Sequence, residues 1–374
     1  MKIVFDLTPI YDHLTGIERY NINITKEIIR QHPEDKYILL FKNEVHKEFE
    51  YIVSQKNVRY RVIPECNKLL FIQFRLLNVL NRIKADYYVF LSFTSPVFFN
   101  KGKIINAIFD LTCWDCPESI SVKMRSYYRF AYKIAAKRSR KIITCSEFSQ
   151  KRICEKYDLN KKRVSVIYAG LTDIFKAAPH TDPELKQKYG LPDKYILSLS
   201  TLEPRKNLQL LIQVYSDMKE EDRQLPELVL AGRQGWKLED VFGNISDSVK
   251  DSIHFTGFID DDDLAQVYRE AELFVFPSKY EGFGLPVIEA MSQGTIVVTS
   301  DAASLPEVAG DAGIMFRSDD KTALKCALIK ALTISEDEKV LRQSSGRRIS
   351  NSFVWADEAE KLHRIMKKGY AHLK

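Results

Sequence analysis

Short apolar runs rich in Ile, Val, Tyr and Phe recur along the chain, and amphipathic stretches separate several of them. In the first half the runs are Ile3–Leu7, Tyr37–Phe41, Val58–Ile63, Tyr87–Leu91, Ile104–Phe109, Lys141–Thr144 and Val164–Tyr168. Their length and composition predict strands, while Ile17–Arg30 and Phe71–Ile83 have the spacing of helices. The second half repeats the plan more cleanly, with strands at Tyr195–Ser200, Leu228–Ala231, Ile253–Thr256, Leu273–Phe276 and Ile296–Thr299. Helical stretches at Asn207–Met218, Asp263–Ala271 and Pro286–Gln293 lie between them. Strand and helix in alternation predict an α/β protein with two doubly wound, Rossmann-like parallel sheets. The polar stretch Ala177–Pro192, with Pro179, Pro183 and Gly190, reads as the linker, dividing the chain into 1–176 and 177–354. In such sheets ligands bind beyond the carboxyl ends of the strands, so the loops there and the cleft between two such domains are the expected site.

Composition narrows the classes. With 374 residues, 45% hydrophobic and 28% charged, the chain has an ordinary globular make-up for two large domains. No apolar run approaches the roughly 18 residues that span a bilayer, and Asp6 interrupts the first one, so neither a membrane span nor an export signal is expected. Six scattered Cys suit reduced thiols in a cytoplasm. The net charge of +6 conceals an asymmetry. Residues 1–170 hold 30 Lys and Arg against 17 Asp and Glu, a net of +13, and the remainder hold 26 against 33, a net of −7. The basic half suits an anionic partner: nucleic acid, a membrane surface or a phosphorylated substrate.

Three loops carry chemistry. Ser278-Lys279-Tyr280-Glu281-Gly282-Phe283-Gly284-Leu285-Pro286 follows a strand and opens a helix with Pro in its first turn. Its backbone N–H groups form an anion site at a helix N-terminus, flanked by Glu281 and Glu289, which suit hydroxyl-rich ligand parts such as a sugar or ribose. The bland reading is a glycine turn with a capping acid. Glu203-Pro204-Arg205-Lys206-Asn207 puts two cations at another helix N-terminus, where they are disfavoured by about 0.3–1 kcal/mol each unless an anion such as a diphosphate sits between them. Two solvated loop cations are the alternative. Gly16, opening the first helix, either approaches a phosphate or makes a plain turn. The phosphate loop of ATPases, a complete dinucleotide fingerprint and the hydrolase nucleophile elbow are all missing. The seven His show no paired metal spacing, Cys113 and Cys116 lack a second pair, and helix-end electrostatics account for Asp260–Asp263, so no metal is expected.

Leu202-Glu203-Pro204-Arg205-Lys206-Asn207-Leu208, Leu230-Ala231-Gly232, Phe255-Thr256-Gly257-Phe258, the Glu281…Glu289 segment and Ser300-Asp301-x-x-Ser304-x-Pro306-Glu307 follow one another in an order that resembles the retaining nucleotide-sugar glycosyltransferases of family four. The resemblance covers nearly the whole chain and implies the two-domain GT-B fold, with residues 355–374 crossing back to the first domain. It implies Arg205 and Lys206 on the donor diphosphate and Glu289 on the ribose. Glu281, with Gly282, Phe283, Gly284 and Leu285, would meet the donor sugar, Phe258 would border the base, and Gly16 would face the phosphates from the other domain. Similar proteins often have His-Asp where this chain has Phe109-Asp110. Either Asp110 or His13 substitutes, or activity is weakened; Asp110 is otherwise an ordinary turn-starting acid.

The expectation is a cytoplasmic, metal-independent transferase in which the leaving diphosphate takes the acceptor proton. The nearest likeness is to cell-surface polysaccharide mannosyltransferases, which implies GDP-mannose as donor and a polysaccharide or lipid-linked glycan as acceptor. A sugar-nucleotide-binding protein without turnover and a sugar-nucleotide epimerase are the alternatives. Nucleic acid fits the basic half but not the acidic one. Within 123–141, Arg125, Arg129, Lys133 and Lys137 recur every four residues among Tyr127, Tyr128, Phe130 and Tyr132. That stripe is either a contact for the anionic inner face of the plasma membrane or a solvated helix face.

Overall fold

Thirteen strands, all in parallel ladders, form two sheets in the computed structural model, which describes residues 1–374 except 12–13, 68–69, 178–180, 202, 233–244 and 372–374. The first sheet contains β1 (Lys2–Asp6), β2 (Lys36–Lys42), β3 (Val58–Ile63), β4 (Tyr87–Phe90), β5 (Lys103–Ala107), β6 (Lys141–Thr144) and β7 (Val164–Val166) in the order β3-β2-β1-β4-β5-β6-β7. The second contains β8 (Tyr195–Leu199), β9 (Glu227–Ala231), β10 (Ile253–Gly257), β11 (Leu273–Phe276), β12 (Ile296–Ser300) and β13 (Ile314–Phe316) in the order β10-β9-β8-β11-β12-β13. Unbroken apolar runs such as Tyr37–Phe41 and Leu273–Phe276 are buried along their whole length, as parallel strands covered on both faces must be. The apolar pattern therefore locates twelve strands to within a residue or two. It misses β13, a three-residue edge strand whose middle residue, Met315, faces solvent. The helix expected at 71–83 opens with wider π-type turns over Phe71–Leu76 before Leu77–Arg82.

The chain separates into one unit of Met1–Gly170 with Val354–Lys374 and another of Leu171–Phe353. The first crossing thus falls just before the Ala177–Pro192 stretch, part of which lies outside the described residues. Leu171 donates its N–H to the Phe353 carbonyl (2.9 Å), tying the two ends of the second unit together. The last helix, Trp355–Ala371, packs against α1 (Gly16–Gln31) through buried Ala359, Leu362, His363 and Met366. Gln31 reaches the Ala356 carbonyl (3.0 Å) and Tyr87 the Met366 carbonyl (2.7 Å). At Gly170 a Cβ would come 2.5 Å from the Trp355 nitrogen, so the return of the chain requires glycine there.

Each strand order reverses once, between β1 and β4 in one sheet and between β8 and β11 in the other, leaving a crevice at the carboxyl ends. In the first unit, fully buried Asn21 on α1 closes that point by donating to the Asp6 carbonyl (3.0 Å) and Ser92 Oγ (2.9 Å). Burial pushes the neighbouring Asp6 carboxyl up to about 6, against hydrogen bonds from the Thr8 hydroxyl and N–H. Replacing Asn21 by Ala strands a buried carbonyl and hydroxyl, and urea denaturation should show a loss of about 1–3 kcal/mol.

Candidate functional site

The two loops that leave β8 and β11 meet at the second reversal point. After β8, Glu203 precedes a single tight turn, Pro204–Lys206, and Asn207 takes a left-handed conformation (φ 57°) to start the helix Leu208–Glu221. Asn207 is locked there by donating its side-chain amide to the Ser318 carbonyl (2.8 Å). The Lys279 N–H on the β11 loop donates to the Arg205 carbonyl (2.8 Å), which joins the loops backbone to backbone.

Side chains complete the junction. Arg205 donates to the Tyr280 carbonyl (3.0 Å) and to Glu281 Oε2 (2.8 Å), and pairs through Nε with Glu203 (2.8 Å). Lys206 Nζ lies 2.6 Å from Glu281 Oε1 and 5.1 Å from the centre of the Phe276 ring. Lys206 and Glu281 are both buried. Burial alone would push the Glu281 carboxyl up, but the Lys206 ammonium and the Arg205 guanidinium outweigh it and hold it at about 2. The bland reading of this pattern is two solvated loop cations. Instead Lys206 is buried, and both cations are matched by Glu281 and Glu203. Glu203 was missed as a partner, although it stands two residues before Arg205.

The Gly282–Leu285 turn is shaped from behind. Gly284 has φ 127°, and a Cβ there would come 2.9 Å from Leu305, so only glycine fits without strain. Ser304 donates to both the Glu281 (3.0 Å) and Phe283 (2.6 Å) carbonyls. The Phe283 ring is buried edge-on against Phe353 (5.3 Å between centres). Leu285 and Pro286 open the helix Leu285–Ser292, and buried Glu289 on it accepts from the Tyr268 hydroxyl (2.9 Å). Phe258 is 46% exposed just past β10, at the same end of the sheet but two strands from β8. Arg205, Lys206 and Glu281 are therefore brought into one cluster, with Gly282–Leu285 following directly. Asp260 and Asp263 are held by Lys188 (2.9 and 2.7 Å), which adds a side-chain partner to the helix-end argument.

The remaining candidates belong to the first unit. Gly16 is the exposed first residue of α1, without an unusual backbone conformation. Asp110 accepts the Thr112 N–H (2.8 Å), a turn-starting contact. The Phe109 ring packs edge-on against Tyr20 (4.7 Å), which in turn meets Trp355 (5.6 Å). His13 and Leu202 lie outside the described residues. Cys113 and Cys116 are buried and form no disulfide, and burial pushes the Cys113 thiol up to about 11. In the helix Val122–Arg138, Arg129 donates to the Cys113 carbonyl (2.8 Å) over the Trp114 ring, and Arg125 reaches the Pro117 carbonyl (3.4 Å). Lys133 and Lys137 are exposed, so the stripe is half tied down and half free to face solvent.

Residues 181–348, which include this cluster, match the family described as Glycosyl transferases group 1. The chain is 29% identical over 369 residues to O-antigen chain mannosyltransferase B of Escherichia coli, covering 95% of this chain and 96% of that one. It is 37% identical over 227 residues to the serotype-specific mannosyltransferase WbdA of Escherichia coli, which takes in 58% of this chain but 27% of that relative. Of the solved structures, Anabaena Alr3699/HepE in complex with UDP-glucose superposes with a TM-score of 0.73 at 17% identity, over 98% of this chain and 100% of that one. WaaG, a glycosyltransferase involved in lipopolysaccharide biosynthesis, gives 0.72 at 17%, over 97% and 99%. The fold is GT-B, and the class is that of the nucleotide-sugar glycosyltransferases. The match to the group 1 glycosyltransferases lies within the second unit, and with the mannosyltransferase relatives it supports glycosyltransferase activity for the chain.

Two outcomes follow from the buried pair. Lys206→Ala should cost up to about 3–5 kcal/mol in urea denaturation, because it leaves the buried Glu281 charge with Arg205 as its remaining cation, and Lys206→Ala with Glu281→Gln should recover much of that loss. Because Glu281 sits below the ordinary 4.5, its contribution is present above that value and disappears as the pH falls toward 2. Acid titration of Glu281→Gln should therefore show a shallower loss of stability between about pH 5 and 2 than the parent.

Proposed function

We propose that the protein transfers mannose from GDP-mannose, with retained anomeric configuration, to a polysaccharide or lipid-linked oligosaccharide. The observation that carries this is the Arg205–Lys206–Glu281 cluster at the reversal point of a group 1 glycosyltransferase domain. Mannosyltransferase relatives, one matched along nearly the whole chain, support the choice of sugar. As the bond between the sugar C1 and the diphosphate oxygen breaks, negative charge accumulates on the leaving group. Arg205 and Lys206 neutralise it, and preorganised charge of this kind is usually the largest catalytic contribution. Part of their present pairing with Glu203 and Glu281 is exchanged for the diphosphate. Glu281, relieved of some of that pairing, accepts hydrogen bonds from sugar hydroxyls beside the Phe283–Leu285 backbone. Glu289 takes the ribose hydroxyls in place of Tyr268. The acceptor hydroxyl attacks C1 on the face the diphosphate leaves, and its proton passes to the departing diphosphate oxygen. No metal takes part in this scheme.

A second reading, sugar-nucleotide binding without turnover, is favoured by Phe109. Its ring is engaged with Tyr20 at the position where similar enzymes often carry a histidine. The two readings separate when purified protein is incubated with GDP-mannose and, in parallel, with UDP-glucose. Release of GDP and mannose, undiminished by EDTA, supports the transferase, whereas binding without release supports the alternative. Preference for the uridine donor would overturn the GDP-mannose assignment.

Arg205→Ala, less buried than Lys206, should keep the fold and lower kcat by about 10²–10³-fold in the same assay. We also propose peripheral contact with anionic lipid through Lys123, Lys133 and Lys137 with exposed Val122 and Phe130. Each cation near such a surface adds about 1 kcal/mol. Replacing the three lysines by Gln should abolish co-sedimentation with phosphatidylserine vesicles at low salt and leave donor hydrolysis unchanged.

A further inference from the structure

At the end of α1 in the first unit, two histidines from opposite ends of the chain stack face to face. His32 ends α1, and His363 lies buried on the helix Trp355–Ala371. Their ring centres are 3.3 Å apart and the planes 9° from parallel. Each ring has a carboxylate on Nε2: Glu360 at 2.8 Å from His32, and Asp35 at 2.7 Å from His363. The His32 backbone is fixed as well, because its carbonyl accepts from the Asp35 N–H (3.1 Å) and the Tyr37 hydroxyl (2.8 Å).

The Nε2 contacts decide the tautomers. A neutral imidazole that donates from Nε2 to a carboxylate has a bare lone pair on Nδ1. The His32 Nδ1 lies 3.4 Å from a Glu34 carboxylate oxygen, so two acceptors face one another. Such a pair needs a cation between its members. One ligand atom from each of His32, Glu34 and His363 lies within 4.8 Å of the others, close enough to share one ion. Glu34 is exposed, which leaves the group open to solvent on that side.

We propose that His32, His363 and Glu34 form a binding site for a divalent transition-metal ion of the zinc type, which fastens the last helix to α1. Two imidazoles and a carboxylate are a donor set such ions favour over magnesium. Glu360 and Asp35 occupy the places of the outer carboxylates that orient metal-binding histidines and raise their basicity. Coordination requires the two ring planes to tilt toward one another on the Nδ1 side so that their in-plane lone pairs converge, and a small rotation about Cβ–Cγ moves Nδ1 more than Nε2, so the outer hydrogen bonds can persist. The site lies wholly within the first unit and serves the attachment of the returning helix rather than the transfer step.

The test uses the full chain after EDTA treatment and gel filtration, titrated calorimetrically with zinc chloride and, separately, magnesium chloride near pH 7.5. One equivalent of zinc should bind, with a zinc-dependent rise in Tm and no response to magnesium. Glu34→Gln, on the exposed side, should keep the metal-free Tm and weaken zinc binding at least tenfold. Glu360→Gln should weaken it by about 10–100-fold, as loss of an outer partner does. His32→Gln should abolish it. If the cation is only a proton, zinc will not bind stoichiometrically to the parent, and the proposal fails. It also fails if zinc binds equally well to Glu34→Gln and His32→Gln, or if magnesium binds as tightly as zinc.

Discussion

A buried carboxylate held by two cations organises the second unit. Glu281 would be costly to bury alone, and Lys206 equally so, and each is tolerable because the other lies 2.6 Å away. Arg205 then adds a guanidinium that spans from Glu203 to Glu281 and the Tyr280 carbonyl. Since these residues come from loops after two different strands, their pairing sets the relative position of the loops. The Gly282–Leu285 turn, the start of the following helix and the place of Glu289 all depend on that registration. The same charges that stabilise the ligand-free loops are those proposed to act on the donor, so binding exchanges partners and leaves no charge buried alone.

The first unit solves a related problem with neutral groups. Its strand-order reversal is closed by Asn21, an amide that bonds a strand-end carbonyl and a serine hydroxyl without carrying charge. Tyr20, one residue earlier on α1, meets Phe109 on one side and Trp355 on the other. Phe109 thus contributes to the apolar contacts that also anchor the returning helix, a packing role that a histidine would fill less well. Neighbouring Asp110 is occupied in starting a turn.

The charge asymmetry of the chain is also partly absorbed by structure. Arg125 and Arg129 of the basic helix bind backbone carbonyls, and Arg129 covers Trp114, so they act locally before they act on any surface. In the acidic half, Lys188 and Tyr189 hold Asp260 and Asp263 at the start of a helix. What remains exposed on the basic helix is smaller and more apolar than the four-residue stripe suggests.

The sequence by itself determined the α/β plan, the positions of nearly every strand and the segments that carry Arg205, Lys206, Glu281 and Glu289. Parallel strands buried on both faces must be unbroken apolar runs, and that signal is local. β13 escaped because a short edge strand with one exposed residue makes no such run. The resemblance singled out Arg205, Lys206, Glu281 and Glu289, because motif residues stand close together in the chain. Only the tertiary structure decided that Lys206 is buried, that Glu203 and Tyr268 are partners, and that Ser304 supports the glycine turn. It alone brought His32 and His363 into one stack. Each of these depends on contacts between segments far apart in sequence, where burial and pairing are properties of the packed chain and leave no period or spacing to read.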